Sequence, residues 1–296
     1  MSNTKLDLFS SKEHFLAAMH IQPKKFADSG LTWADILDIK NDYEDVTKQK
    51  AFESAKNRLV TIVSRFEHAH SISARIKSVD SLVAKIIDRM SKKREREISA
   101  ENYLTKITDI IGIRILHLLK SDGVALHRQI INEFEKFQVE KPVIYLRRGD
   151  SDAIYDSIKT SVEKIEPDSM YRSIHYVYRF PKKGKQDLCR WELQTRTLFQ
   201  EGWSELDHDL IYKERYKDDE TLRSYSDALS RIVGTCDDLA MFIQRRSETL
   251  INENKIDPAD EPCVRSQDDG ARDKERERGI FDYLDVFFER MGGSGK

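Results

Sequence analysis

Over the first 70 residues the apolar positions recur every three or four residues. Phe52, Ala55, Leu59, Ile62, Val63 and Phe66 fall on one helical face while charged and amide side chains fill the others, the pattern of amphipathic helices. A second helix is expected over 81–98, with Leu82, Ile86, Ile87 and Met90 on its apolar side. The period then changes. Ile107 to Leu119 (ITDIIGIRILHLL) is rich in β-branched residues and reads as a buried strand. Helical spacing returns from Val124 to Phe137, and Val143 to Arg147 is a short strand. Tyr171 to Phe180 (YRSIHYVYRF) is another strand, Lys182 to Lys185 a turn, and Leu188 to Arg196 (LCRWELQTR) its hairpin partner. A long amphipathic helix follows over 219–254, with Leu222, Tyr225, Leu229, Ile232, Val233, Cys236, Leu239 and Ile243 as the expected buried stripe. Helices flanking a mixed β-sheet of about five strands make an α/β fold.

This order divides the chain into an N-terminal helical region (1–70), an α/β domain closed by the long helix (71–255), and a charged linker with a short amphipathic tail helix (256–296). In the tail, Ile280, Phe281, Tyr283, Leu284, Phe287 and Phe288 share one side. That helix either docks on its own domain or serves as a contact for an oligomer, an inhibitory element or a neutralising partner.

Composition narrows the classes. With 39% hydrophobic and 34% charged residues, the chain is too apolar for general disorder and too charged for a membrane. No stretch approaches the roughly 18 apolar residues of a spanning helix, and no apolar h-region follows the N-terminus, so a cytoplasmic protein is expected. The three cysteines are far apart without C-x-x-C spacing, which argues against a disulfide framework or a cysteine zinc site. A net charge of −2 gives no global attraction to polyanions, so any phosphate binding must come from a local cluster. The run Lys92 to Glu97 is such a cluster or simply a solvated face.

Two carboxylates stand out of place. Asp109 enters an otherwise apolar run. Glu192 shares a strand face with Gln194 and Arg196 at period two. Carboxylates in an apolar setting are costly unless paired with a cation. They form either buried salt bridges or a shared site for Mg²⁺ and phosphates, since Mg²⁺ is commonly held by one or two carboxylates plus phosphate oxygens. Arg75, Lys77 and Lys85 gather around a helix start, with Ser81 one turn before Lys85. Arg114 shares a strand face with Gly112, whose missing side chain would let a ligand approach the sheet. Tyr171, Ser173 and His175 project together, either as packing or as a platform for a nucleobase. No G-x-x-x-x-G-K-[ST], G-x-G-x-x-G or G-x-S-x-G occurs at a suitable place, and His68-Ala69-His70 lacks the spacing of a metal site.

The blocks RIKSVDSLVAK (75–85), DIIGIR (109–114), YRSIH (171–175), WELQTRT (191–197) and WSELDH (203–208), in this order, resemble the synthetase domain of the RelA/SpoT alarmone synthetases. The resemblance implies a nucleotidyltransferase-like fold and transfer of pyrophosphate from ATP to the 3′-hydroxyl of GDP or GTP. It implies Mg²⁺ on Asp109 and Glu192, with Glu192 also the general base and Gln194 on the same face. Arg75 and Arg114 would sandwich adenine, while Lys77, Ser81 and Lys85 hold the ATP phosphates. Tyr171 would stack on the acceptor base with Ser173, His175 and Arg196 nearby, and Glu201 would favour guanine by accepting from its N1–H and 2-amino group. The family's usual Asn-Gly and preceding lysine before the tyrosine are replaced by Pro167-Asp168-Ser169-Met170. That departure opens a second expectation, a relative that modifies the 3′ end of tRNA or an adenine nucleotide. A third is a non-catalytic nucleotide sensor. No His-Asp dipeptide precedes the synthetase blocks, so a synthetase-only member without the family's hydrolase half is expected.

Overall fold

The computed structural model describes residues 8–92, 97–180, 189–212 and 219–254. The chain divides into two units, 1–182 with 186–243, and 183–185 with 244–296. Of the second unit only 244–254 are described, the last turns of a helix. The tail helix, the linker, the 182–185 turn and most of the 92–97 basic run lie outside the described residues.

Four helices open the first unit: α1 (Lys12–Ala18), α2 (Pro23–Ser29), α3 (Trp33–Tyr43) and α4 (Val46–Val63). Their starts are written in the sequence. Ser11 accepts from the His14 amide, and Asp45 accepts from the amides of Thr47 and Lys48. Thr32 and Asp35 form a reciprocal capping box, satisfying amides that have no partner inside the helix. Phe15, Phe26 and Ile36 from these helices pack with Val83 and Ile87 of α5 (Val79–Ser91) in one apolar cluster.

The strands are β1 (Ser71–Ile76), β2 (Ile111–His117), β3 (Val143–Tyr145), β4 (Glu163–Ile165), β5 (Ser173–Arg179) and β6 (Arg190–Thr197). They form one mixed sheet in the order β1-β2-β6-β5-β3-β4. β2 and β6 run parallel, and β5 and β6 pair antiparallel. The expected hairpin partners therefore pair as read, and the sheet has one strand more than expected. Two strands, β1 and β4, lie where no run reads as a strand; β4 spans only three residues (EKI) and carries no apolar run to announce it.

Period two divides the sheet into two faces. On one, Ile111, Ile113, Ile115, Trp191, Leu193, Tyr176 and Tyr178 are at most 2% exposed. They lie under Leu126, Ile130 and Phe134 of α7 (Lys120–Phe134). The rings of Phe134 and Tyr178 stand 5.0 and 4.7 Å from that of Trp191. Burying each such side chain stabilises by roughly 1.5–3 kcal/mol, which fixes the register, because a one-residue slip would turn the whole apolar set outward. The opposite face carries the residues with chemistry.

Two expectations need correcting. Asp109 is not on a strand. After the short helix α6 (Tyr103–Lys106) it occupies a turn, and β2 begins only at Ile111. The long helix α9 (Glu220–Asn254) forms as read, but the expected stripe is only partly covered: Val233 is buried and Leu222, Leu229 and Cys236 are half-buried, while the rest of the stripe is exposed. Tyr225, Ile232, Leu239 and Ile243 are 54–71% exposed, whereas Ser226, Ser230, Val233 and Asp237 are buried. The reason is hydrogen bonding. Trp203 donates to Ser226, Arg172 donates to Ser230, and Gln200 donates to Asp237, so small and polar side chains face the domain.

Candidate active site

Strand pairing sets the candidate residues in two rows on the polar face. Across β1, β2, β6 and β5 the first row reads Arg75, Gly112, Glu192, Val177. The next reads Ser73, Arg114, Gln194, His175. The opening expected above Gly112 is filled by Arg75. A Cβ built on the glycine would meet Arg75 Cγ and Nε at 3.7 Å, ordinary contact rather than a clash.

Beside this sheet face lies a cationic cluster. Lys77 follows β1, and its amide donates to the Ile110 carbonyl while its own carbonyl accepts from Tyr43. These bonds hold it against the turn that carries Asp109. Lys77 Nζ stands 2.9 Å from Asp109 Oδ2, and Lys85 Nζ, on α5, stands 2.8 Å from Oδ1. The Lys85 contact is an ion pair without well-aligned hydrogen-bond geometry at the buried Oδ1. Burial alone would raise the Asp109 carboxyl, but the two ammonium groups outweigh it and bring it down to about 2. Burial lowers Lys77 in turn, against the pull of Asp109. Ser81 accepts from the Ser78 hydroxyl at 2.8 Å, at the start of α5 and one turn before Lys85.

The second cluster is a closed ring of side chains. Arg196 donates through Nη2 to the Tyr171 hydroxyl and, at 3.1 Å, to Gln194 Oε1. Gln194 Nε2 donates to Glu192 Oε2 at 2.9 Å. The Tyr171 hydroxyl lies 2.8 Å from His175 Nε2, and His175 Nδ1 lies 2.9 Å from Glu192 Oε1. The Tyr171 hydroxyl accepts from Arg196, and Nδ1 of the histidine donates to the Glu192 carboxylate. Burial would raise Glu192, but the His175 hydrogen bond and charge outweigh it and hold the carboxyl below its ordinary value. Arg196 is itself only 4% exposed, with its guanidinium 4.8 Å from the centre of the Tyr171 ring. It therefore underlies the tyrosine. Ser173 is also buried, donating to the Thr195 carbonyl.

Helix α8 (Leu198–Asp207) completes the site. Thr197 and Gln200 cap its start reciprocally. Glu201, in its first turn, is engaged at both oxygens: Oε1 by Arg114, Oε2 by Arg196 at 2.9 Å. Both oxygens of the carboxylate expected to read guanine thus have arginine partners within the protein. Two neighbours escaped the sequence reading. Glu205 accepts from Arg114 at 2.6 Å, a partner visible only as the i+4 position from Glu201. Tyr145 sets its ring edge-on to His175 at 4.8 Å and Tyr171 at 5.7 Å, a role foreshadowed only by the alternation of β3.

Among the described residues no group of three or more His, Cys, Asp or Glu is placed to enclose a metal. The nearby carboxylates of Asp109 and Glu192 instead suit an ion that keeps water and phosphate oxygens as its other ligands.

Residues 74–217 match the family described as "Region found in RelA / SpoT proteins". This stretch belongs to the RelA/SpoT family. Within the RelA/SpoT stretch fall both clusters, α8 and every residue of the two rows but Ser73. A relative, the GTP pyrophosphokinase YwaC of Bacillus subtilis (strain 168), is 26% identical over 149 residues, covering 50% of this chain and 59% of the relative. The matched stretch thus spans less than two thirds of that protein's length. Similar solved structures include the small alarmone synthetase 1 from Bacillus subtilis, with a TM-score of 0.48 at 21% identity over 69% of this chain and 95% of that one. A GTP pyrophosphokinase family protein from Streptococcus pneumoniae gives 0.46 at 20% identity over 71% and 95%. No helix among the described residues is long and apolar enough to cross a membrane.

Proposed function

We propose that this domain is a pyrophosphokinase that moves the β,γ-pyrophosphoryl group of ATP to the 3′-hydroxyl of GDP or GTP, giving (p)ppGpp and AMP. The observation that carries the reading is the adjacency of Glu192 and Asp109 to a lysine pair and to Arg75 and Arg114, inside a RelA/SpoT stretch. The Bacillus relative's name, GTP pyrophosphokinase, points the same way.

The acceptor 3′-oxygen attacks the β-phosphorus, the bond to the α,β-bridging oxygen breaks, AMP leaves, and the 3′-hydroxyl proton passes to Glu192. Glu192 suits this because its low value keeps it ionised. Asp109 and Glu192 would hold Mg²⁺, which when bound supplies neutralisation of phosphate charge. Lys77 and Lys85 turn from Asp109 toward the ATP phosphates, which arrive at the start of α5 where helix amides favour anions. Arg75 and Arg114 offer flat guanidinium faces for adenine. Tyr171 offers its ring to the acceptor base, and His175 holds the tyrosine and Glu192 together. Such catalysis is positioning and charge neutralisation rather than covalent chemistry by the protein.

A second reading, transfer to the 3′ end of tRNA, is favoured by one feature. The Pro167-Asp168-Ser169-Met170 turn ahead of Tyr171 carries an aspartate and no lysine or glycine. One experiment separates the two. The protein is given γ-labelled ATP and Mg²⁺ with GTP, GDP, ATP or bulk tRNA, beside an Asp109→Gly control. Label on a guanine nucleotide supports the first reading. Label on tRNA alone replaces it with the second, and no transfer to any acceptor overturns both.

A further inference from the structure

The Glu201 carboxylate joins the two halves of the site. Its Oε1 takes Arg114, on the strand row that would meet the donor adenine. Its Oε2 takes Arg196, which lies beneath the Tyr171 ring. The carboxylate is 16% exposed and the two guanidinium groups 24% and 4%, so these charges interact with little water between them, where charge-assisted hydrogen bonds are strongest. Each arginine also has a partner the other lacks. Arg114 has Glu205 at 2.6 Å, and Arg196 has Ser204 Oγ at 2.9 Å. All three acceptors sit on α8, at positions 201, 204 and 205, the i, i+3 and i+4 spacing of one helical face.

A guanidinium bonds carboxylates through its edge and stacks through its face. Edge bonds to Glu201 and Glu205 therefore leave the Arg114 face open for a base and fix the plane in which it stands. The bond from Glu201 to Arg196 does the same, one step removed, for Tyr171.

We propose that Glu201 is a positioning residue for both nucleotides at once, a single carboxylate on α8 that orients the donor-side Arg114 and, through Arg196, the acceptor-side Tyr171, while Glu205 serves the donor side alone. This rests on the pyrophosphokinase reading above.

The test measures Kd for a non-hydrolysable ATP analogue and for GDP, together with both KM values, in the wild type, Glu201→Gln and Glu205→Gln. The glutamines keep shape and one acceptor oxygen, and Glu205 is 55% exposed, so at least one variant reports on a folded protein. Glu201→Gln weakens both nucleotides by roughly tenfold, as expected for a lost bond to a charged group, and Glu205→Gln weakens the ATP analogue only. If Glu201→Gln moves the GDP values alone, it reads the acceptor directly and the bridge is wrong. If neither value moves, the carboxylate is a surface ion pair and the bridge is again wrong. A wild type that turns over normally in those cases leaves the pyrophosphokinase reading intact, whereas a wild type that binds neither nucleotide overturns that reading and the bridge with it.

Discussion

The imidazole of His175 stands between the Tyr171 hydroxyl, 2.8 Å from Nε2, and Glu192, 2.9 Å from Nδ1. The carboxyl of Glu192 is buried, which pushes it toward the neutral form. It stays low because the histidine hydrogen-bonds the ionised form and adds its charge.

Removing that bond should free the effect of burial. In His175→Asn the value for Glu192 rises, so the fraction ionised at a given acidic pH falls. The acid limb of the pH–rate profile then moves to higher pH, with a loss on the order of tenfold in rate near neutrality, the cost of one charged hydrogen bond. An unchanged acid limb would assign the limb to another group.

Asp109 makes the site a contributor to stability. Its carboxyl drops from 3.8 to about 2 on folding, so the folded state favours the ionised form. The contribution, about 2 kcal/mol, is complete above pH 4 and is lost as pH falls from about 4 to about 2. Urea unfolding of the wild type and Asp109→Asn across this range should show the steeper acid loss in the wild type alone.

His127 works with the opposite sign. Its Nδ1 lies 3.1 Å from the Tyr176 hydroxyl and Nε2 lies 2.8 Å from Ser161 Oγ, and burial lowers it from 6.5 to about 4. The folded state holds it neutral. Stability therefore falls as pH drops from about 6.5 to about 4, by about 3 kcal/mol, and is unaffected by this group above that window. His127→Gln, which offers both a donor and an acceptor, should flatten this part of the profile.

Two helical glycines should answer alanine differently. A Cβ on Gly202 meets nothing within 4 Å, whereas one on Gly234 would stand 2.9 Å from Arg172 Nη2. Arg172 cannot swing aside cheaply, because Asp150 and Ser230 hold it at 2.6 and 2.7 Å and it is buried. Gly202→Ala should gain up to about 1 kcal/mol from helix propensity. Gly234→Ala should lose roughly 1–3 kcal/mol through overpacking. Thermal unfolding of both variants checks the contrast.

Much of this arrangement was legible in the sequence because strand period two is a strict rule. Glu192 and Gln194 were expected on one face from spacing alone, and the pairing of β5 with β6 brings His175 opposite Gln194. Asp109 was misread because the turn that carries it is flanked by Ile107 and Ile110, both fully buried. An apolar turn imitates a strand. Half of the stripe on α9, Tyr225, Ile232, Leu239 and Ile243, stays exposed because periodicity identifies an apolar face without saying how much of it is covered. There, hydrogen bonds from Arg172, Gln200 and Trp203 select the polar side. The contacts of Glu201 and Glu205 were hidden for another reason. They depend on how α8 sits against β2, which no local pattern encodes.

The loop of bonds through Arg196, Tyr171, His175, Glu192 and Gln194 has a genetic consequence. Each member is held by two others, so the first substitution costs the whole arrangement its geometry and the second finds little left to lose. Single changes at these positions should be severe, double changes scarcely worse. Evolution across these two central strands would then proceed by compensated pairs, with lone replacements rare.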